Sequence, residues 1–172
     1  MLNADLPERF AFDVSFNQQS EFSIQHFQHE SMMRVLSPGG RLVVAVWDAV
    51  DRMPAYAAAI ELLDTVAGTR AGDALRAPFI LGDRRRLAKI GADAGLKSAS
   101  VETHSGTAEF PSIRVMIDAE LRGWLPAMGV VLPEDQISPI LEQAERVLAG
   151  YRAPDGTVRF PISAHFLRAD RS

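Results

Sequence analysis

The sequence predicts an α/β fold, and three neighbouring observations carry that prediction. Residues 42–47, LVVAVW, form an unbroken apolar run of strand length with no polar alternation. A strand without a polar face belongs in the interior of a mostly parallel sheet, where helices cover both sides. In front of it, Ser37-Pro38-Gly39-Gly40 is a stop: Pro38 cannot continue a helix, and Gly39 or Gly40 can take the positive φ that closes the turn. Before the stop, Met32, Met33, Val35 and Leu36 close a helical stretch, so the segment reads helix, tight turn, buried strand.

The remaining elements follow from local pattern. Residues 11–17 read as a short strand and 24–36 as a helix. Over 54–67, Tyr56, Ala59, Ile60, Leu63 and Val66 recur at helical spacing, and Gly68 ends the run. Asp83 is a natural N-cap for a helix over 83–94, with Gly95 as its stop. Residues 98–110 suit a strand, with Val101 and Thr103 facing one way and Glu102 and His104 the other. Ile113, Met116, Ile117, Leu121, Trp124 and Leu125 mark another helix, limited by Pro126 and Gly129. The cleanest helical stripe runs from Ile137 through Ile140, Leu141, Ala144, Val147 and Leu148 to Tyr151. Pro154-Asp155-Gly156 then turns into a last strand over 157–167. No linker or repeat divides the chain, so 1–172 reads as a single domain.

Composition narrows the function classes. An apolar fraction of 47% with 23% charged residues suffices for one core. The net charge of -4 argues against a nucleic-acid binder; Arg84-Arg85-Arg86 is the only basic run and reads as a solvated helix face. The absence of cysteine removes disulfides, thiolate metal sites and cysteine nucleophiles. With no leader and no apolar run of spanning length, a cytoplasmic protein without a membrane partner is expected. His26 and His29 are spaced i, i+3, but Glu30 points to another face, so no metal is expected. His104 and His165 lie on separate strands, and either can act as a general base. No GxSxG pattern supports hydrolase chemistry.

Four segments in order carry a resemblance: FDVSFNQQS at 12–20, VLSPGGRLVVAVW at 35–47, LRAPFILGD at 75–83 and ADAGLKSASVE at 92–102. Together they resemble the second half of a class I S-adenosylmethionine-dependent methyltransferase, of the small-molecule type related to ubiquinone and menaquinone biosynthesis. The resemblance implies a truncated Rossmann-like sheet of about four main strands, the last antiparallel, with helices on both faces. It makes 42–47 a central strand parallel to 12–16, and 111–152 a helical insertion that caps a substrate pocket. It places Asn17, Gln18 and Gln19 at the cofactor edge, although plain loop polarity accounts for them equally well. Phe22, Trp47, Met53, Phe79 and Trp124 become the substrate-pocket residues by the same resemblance.

The pattern departs from the family at its start. No GxG motif precedes Phe12, so the glycine-rich loop and ribose-binding acid of the family are missing. S-adenosylmethionine is therefore expected to bind weakly or not at all, and no catalytic residue is assigned. The chain is expected to be a methyltransferase-like protein, inactive alone unless another chain or an upstream region supplies the cofactor half. The alternative is a cofactor-free small-molecule-binding or oligomeric interaction module. The edge around Phe12, Val14 and Phe16 would carry unpaired backbone groups, so a homodimer through that edge is expected.

Overall fold

The computed structural model describes residues 36–96 and 98–170. It is a mixed α/β structure with a three-stranded sheet. Strand β1 (Arg41–Trp47) leads into helix α1 (Pro54–Val66), then α2 (Thr69–Arg76) and α3 (Arg84–Asp93). Strand β2 (Ser100–Phe110) is followed by α4 (Ile113–Ala119), which continues through a π-helical turn (Glu120–Trp124) to Leu125–Ala127. Helix α5 (Glu134–Val147) precedes the last strand, β3 (Val158–Asp170).

Local chemistry sets these boundaries. Ser37 O accepts from Gly40 N at 2.8 Å, and Gly39 takes φ 75°, which closes the turn before β1. Pro54 opens α1 at a position where its missing N–H costs nothing, and Gly68 at φ 88° separates α1 from α2. The Asp83 carboxylate accepts from Arg85 N at 2.7 Å and Arg86 N at 3.0 Å, the N-cap that starts α3. Helix α2 was not legible in the sequence pattern. It packs beside α1, where Gly72 leaves room for the Asp64 carboxylate and Arg76 Nη2 donates to Asp64 Oδ2 at 2.7 Å.

The strands are ordered β1-β3-β2 and both ladders are antiparallel. Trp47 lies opposite Ala164 and Phe110 opposite Val158. β1 and β2 therefore point the same way, with β3 reversed between them. Three strands are present among the described residues; the expected fourth, at 11–17, lies outside them. There β1 pairs only with β3, and its expected central place beside 12–16 also lies outside the described residues. One expectation is corrected: β1 is not buried on both faces, since Leu42 is buried while Val43 is 51% and Trp47 43% exposed. The apolar run misled because burial depends on what covers each face, and here only the Leu42 face is covered.

Helices lie on both faces, but each covers only half of its face. On one face α3 packs Leu87 against Leu42, Val101, Leu167 and Ala169. On the other, α1, α2, α4 and α5 cover Val158 and Phe160 with a larger core that includes Ile60, Leu63, Leu75, Met116, Leu121 and Leu141. Each such buried side chain contributes roughly 1.5–3 kcal/mol. The helices between β2 and β3 are therefore core elements first: Ile113, Met116, Ile117, Leu125, Ile140 and Leu148 are all buried.

A backbone crossing fixes the end of β1. A Cβ on Gly82 would lie 2.2 Å from Ala49 N and 2.5 Å from both Ala49 Cα and the Asp48 carbonyl carbon. These are main-chain atoms that cannot yield without disturbing β1. A Cβ on Gly91 would come closest to Leu167 Cδ1, at 2.8 Å, the far end of a side chain. Gly82→Ala should therefore destabilise the protein by about 1–3 kcal/mol and by more than Gly91→Ala. Urea midpoints of the two variants check this, and equal midpoints would contradict the crossing.

Candidate functional site: an aromatic cleft at the end of β1

The uncovered half of the sheet meets the helical layer in a cleft of about 170 Å³. Trp47 enters it from the carboxyl end of β1, the edge at which open α/β sheets place ligands. Tyr56 comes from the first turn of α1, Leu75 from α2, and Pro78 and Phe79 from the turn that follows. Glu120 and Trp124 come from the π-helical turn after α4. Such a turn carries one extra residue per turn and re-aims its side chains, and these turns recur at functional sites.

The walls are fixed by packing. The Tyr56 ring lies 5.3 Å from Phe79 and 5.7 Å, edge-on, from Phe160, within the range for favourable aromatic pairs. Trp124 Nε1 donates to Ala74 O at 2.8 Å, which ties the π turn to α2. Tyr56 Oη donates to Glu120 Oε1 over a long 3.4 Å. Burial pushes the Glu120 carboxyl above its ordinary range, and the Tyr56 hydrogen bond offsets this only in part. Burial, then the neighbouring Glu120 charge, pushes the Tyr56 hydroxyl up as well. Among the described residues no cation pairs with Glu120.

Three of the aromatic residues singled out by sequence, Trp47, Phe79 and Trp124, meet in this cleft. Met53 does not line it. It is fully buried in the core, because the turn that starts α1 points its side chain inward. Phe22, Asn17, Gln18 and Gln19 lie outside the described residues, as does the edge around Phe12 and Phe16. Sequence reasoning passed over Glu120. A signal existed: it sits four residues after Met116 and four before Trp124, which places a carboxylate on the apolar side of its helix.

The histidines separate. His104 stands exposed on β2, 3.4 Å from Glu102. His165 is 3% exposed and holds the opposite face of the sheet together. Its Nε2 faces two acceptors, Gly82 O at 2.9 Å and Asp48 Oδ1 at 3.1 Å, so Nε2 carries the proton. Nδ1 then accepts from Thr103 Oγ1 at 2.8 Å, and Ser163 Oγ donates to Asp48 Oδ2 at 2.7 Å. Burial pushes Asp48 up, but the Ser163 and Ala49 hydrogen bonds, with the Arg52 charge, outweigh it and leave its carboxyl below the ordinary range. This network lies away from the cleft and joins all three strands to the Gly82 turn. Among the described residues, no cluster of histidines and carboxylates has metal-ligand geometry, and no helix is long and apolar enough to cross a membrane.

Glu120 yields a pH test. A carboxyl whose folded value is raised favours the folded state most when protonated, below the ordinary glutamate value of about 4.3, and that advantage is lost as pH rises through the folded value. Glu120→Gln removes this dependence. The variant should match the wild type at low pH and be at least as stable above neutrality, measured as the difference between the two unfolding profiles from pH 4 to 9. A variant less stable at high pH would show that the carboxylate stabilises the fold. In comparisons with known proteins, no family model and no curated protein matches the chain.

Proposed function

We propose that the chain is a methyltransferase-like protein whose aromatic cleft takes a small apolar molecule or head group. The observation that carries this reading is a conjunction at the carboxyl end of β1. The last strand runs antiparallel to both of its neighbours, β1 and β2, and an antiparallel last strand is what the resemblance implies. Beside it, Trp47, Phe79 and Trp124 form a pocket capped by the insertion between β2 and β3. In the resembled family a helical insertion at that point commonly covers the acceptor, and α4 fits this pattern by burying one side while its π turn reaches the cleft.

A cofactor site finds no such support. Among the described residues no glycine-rich loop follows a strand, the arrangement that holds a nucleotide-like cofactor through backbone N–H groups. No transfer step is therefore assigned to these residues. The second reading, a cofactor-free binding module, is favoured by one observation: among the described residues, a compact set between Trp47 and Trp124 lines the cleft.

Calorimetry with two titrants tests the proposal. S-adenosylmethionine should bind this chain more weakly than about 1 μM, or about -8.2 kcal/mol, while small apolar molecules should bind and raise the unfolding temperature. Submicromolar cofactor binding would restore the complete enzyme. Apolar ligands that leave the unfolding temperature unchanged would remove the binding role.

A further inference from the structure

Resting on the reading that this cleft binds a small molecule, we propose that its ligand is an organic cation: an amine or methylated ammonium head group held against Glu120. Four aromatic residues from separate elements, Trp47, Tyr56, Phe79 and Trp124, line one cleft together with a single carboxylate, Glu120, which the Tyr56 hydroxyl reaches. Aromatic faces carry negative potential, and a weakly hydrated ammonium is the ion they hold best. Glu120, once ionised, supplies a negative charge at the same place, with no partner cation among the described residues.

The donors point the same way. The Trp124 N–H is committed to Ala74 O, and the Tyr56 hydroxyl is directed at Glu120. Neither is free to donate to a carboxylate or phosphate, and Glu120 would repel either. A neutral apolar ligand would fill the space but leave the carboxylate desolvated and uncompensated, a costly arrangement. A cation removes that cost. At about 170 Å³ the cleft is smaller than the roughly 300–1,000 Å³ of a typical ligand site, so it fits a head group with the rest of the ligand lying over the open sheet face.

Both tryptophans of the chain line the cleft, so intrinsic emission reports directly on occupancy. The test compares choline with its neutral isostere 3,3-dimethyl-1-butanol, at constant ionic strength, on the wild type and on Glu120→Gln. In the wild type choline should bind at least about tenfold more tightly than the isostere. In Glu120→Gln that preference should shrink to about twofold or less, with isostere binding unchanged. If the isostere binds the wild type as tightly as choline, the cation proposal falls while the small-molecule cleft stands. If neither ligand gives a saturable change in emission, both fall. Should Glu120→Gln not fold, the wild-type ratio alone decides.

Discussion

Among the described residues, β1 and β2 have no hydrogen bonds to each other; each is held by the backbone of β3. The rest of the structure depends on that insertion. β3 also joins the two halves of the core, because its two faces bury different segments. Leu167 and Ala169 pack under α3, while Val158 and Phe160 pack under the helices around α1 and α5. A strand that closes two ladders and two cores must be in place before either half is stable. Arg41 pairs with Asp170, so the closing contacts are far apart in sequence, and contacts of that kind are expected to form slowly.

The cleft inherits its geometry from this arrangement. Trp47 is aimed by the last pair of the β1–β3 ladder, and just beyond it Asp48 N donates to Ser163 O at 3.0 Å. The Asp48–His165–Thr103 network then locks all three strands on the face behind the cleft. One wall of the site is thus rigid. The other wall is a π turn, whose wider spacing brings Glu120 and Trp124 to the same opening. A desolvated carboxylate in an aromatic setting does little for stability.

How much of this was legible in the sequence follows from the range of the forces involved. The cap at Asp83, the stop at Gly68, the turn at Gly39 and the helices over 54–66, 84–93 and 134–147 are set by neighbouring residues, and pattern reading located them. Helix α2 escaped because TRAGDALR buries Ala71, Gly72 and Ala74 beside one large residue, Leu75, so its face carries little apolar signal. β1 was identified as a strand and misjudged in burial, since burial is set by elements distant in sequence. In the cleft, Trp47, Phe79 and Trp124 were named from resemblance. Tyr56 was read as one more member of a helical stripe. Glu120 went unremarked because a single carboxylate acquires meaning only from the rings that the fold brings around it.

Native-state hydrogen exchange tests the dependence on β3 most directly. Amides across β3, from Phe160 to Leu167, should exchange only through global unfolding. Their free energy should equal that from urea unfolding and match the slowest amides of β1 and β2. If the β3 amides instead exchange through local opening, faster than those of α1, the last strand is an appendage to an already stable core and the structure does not depend on it.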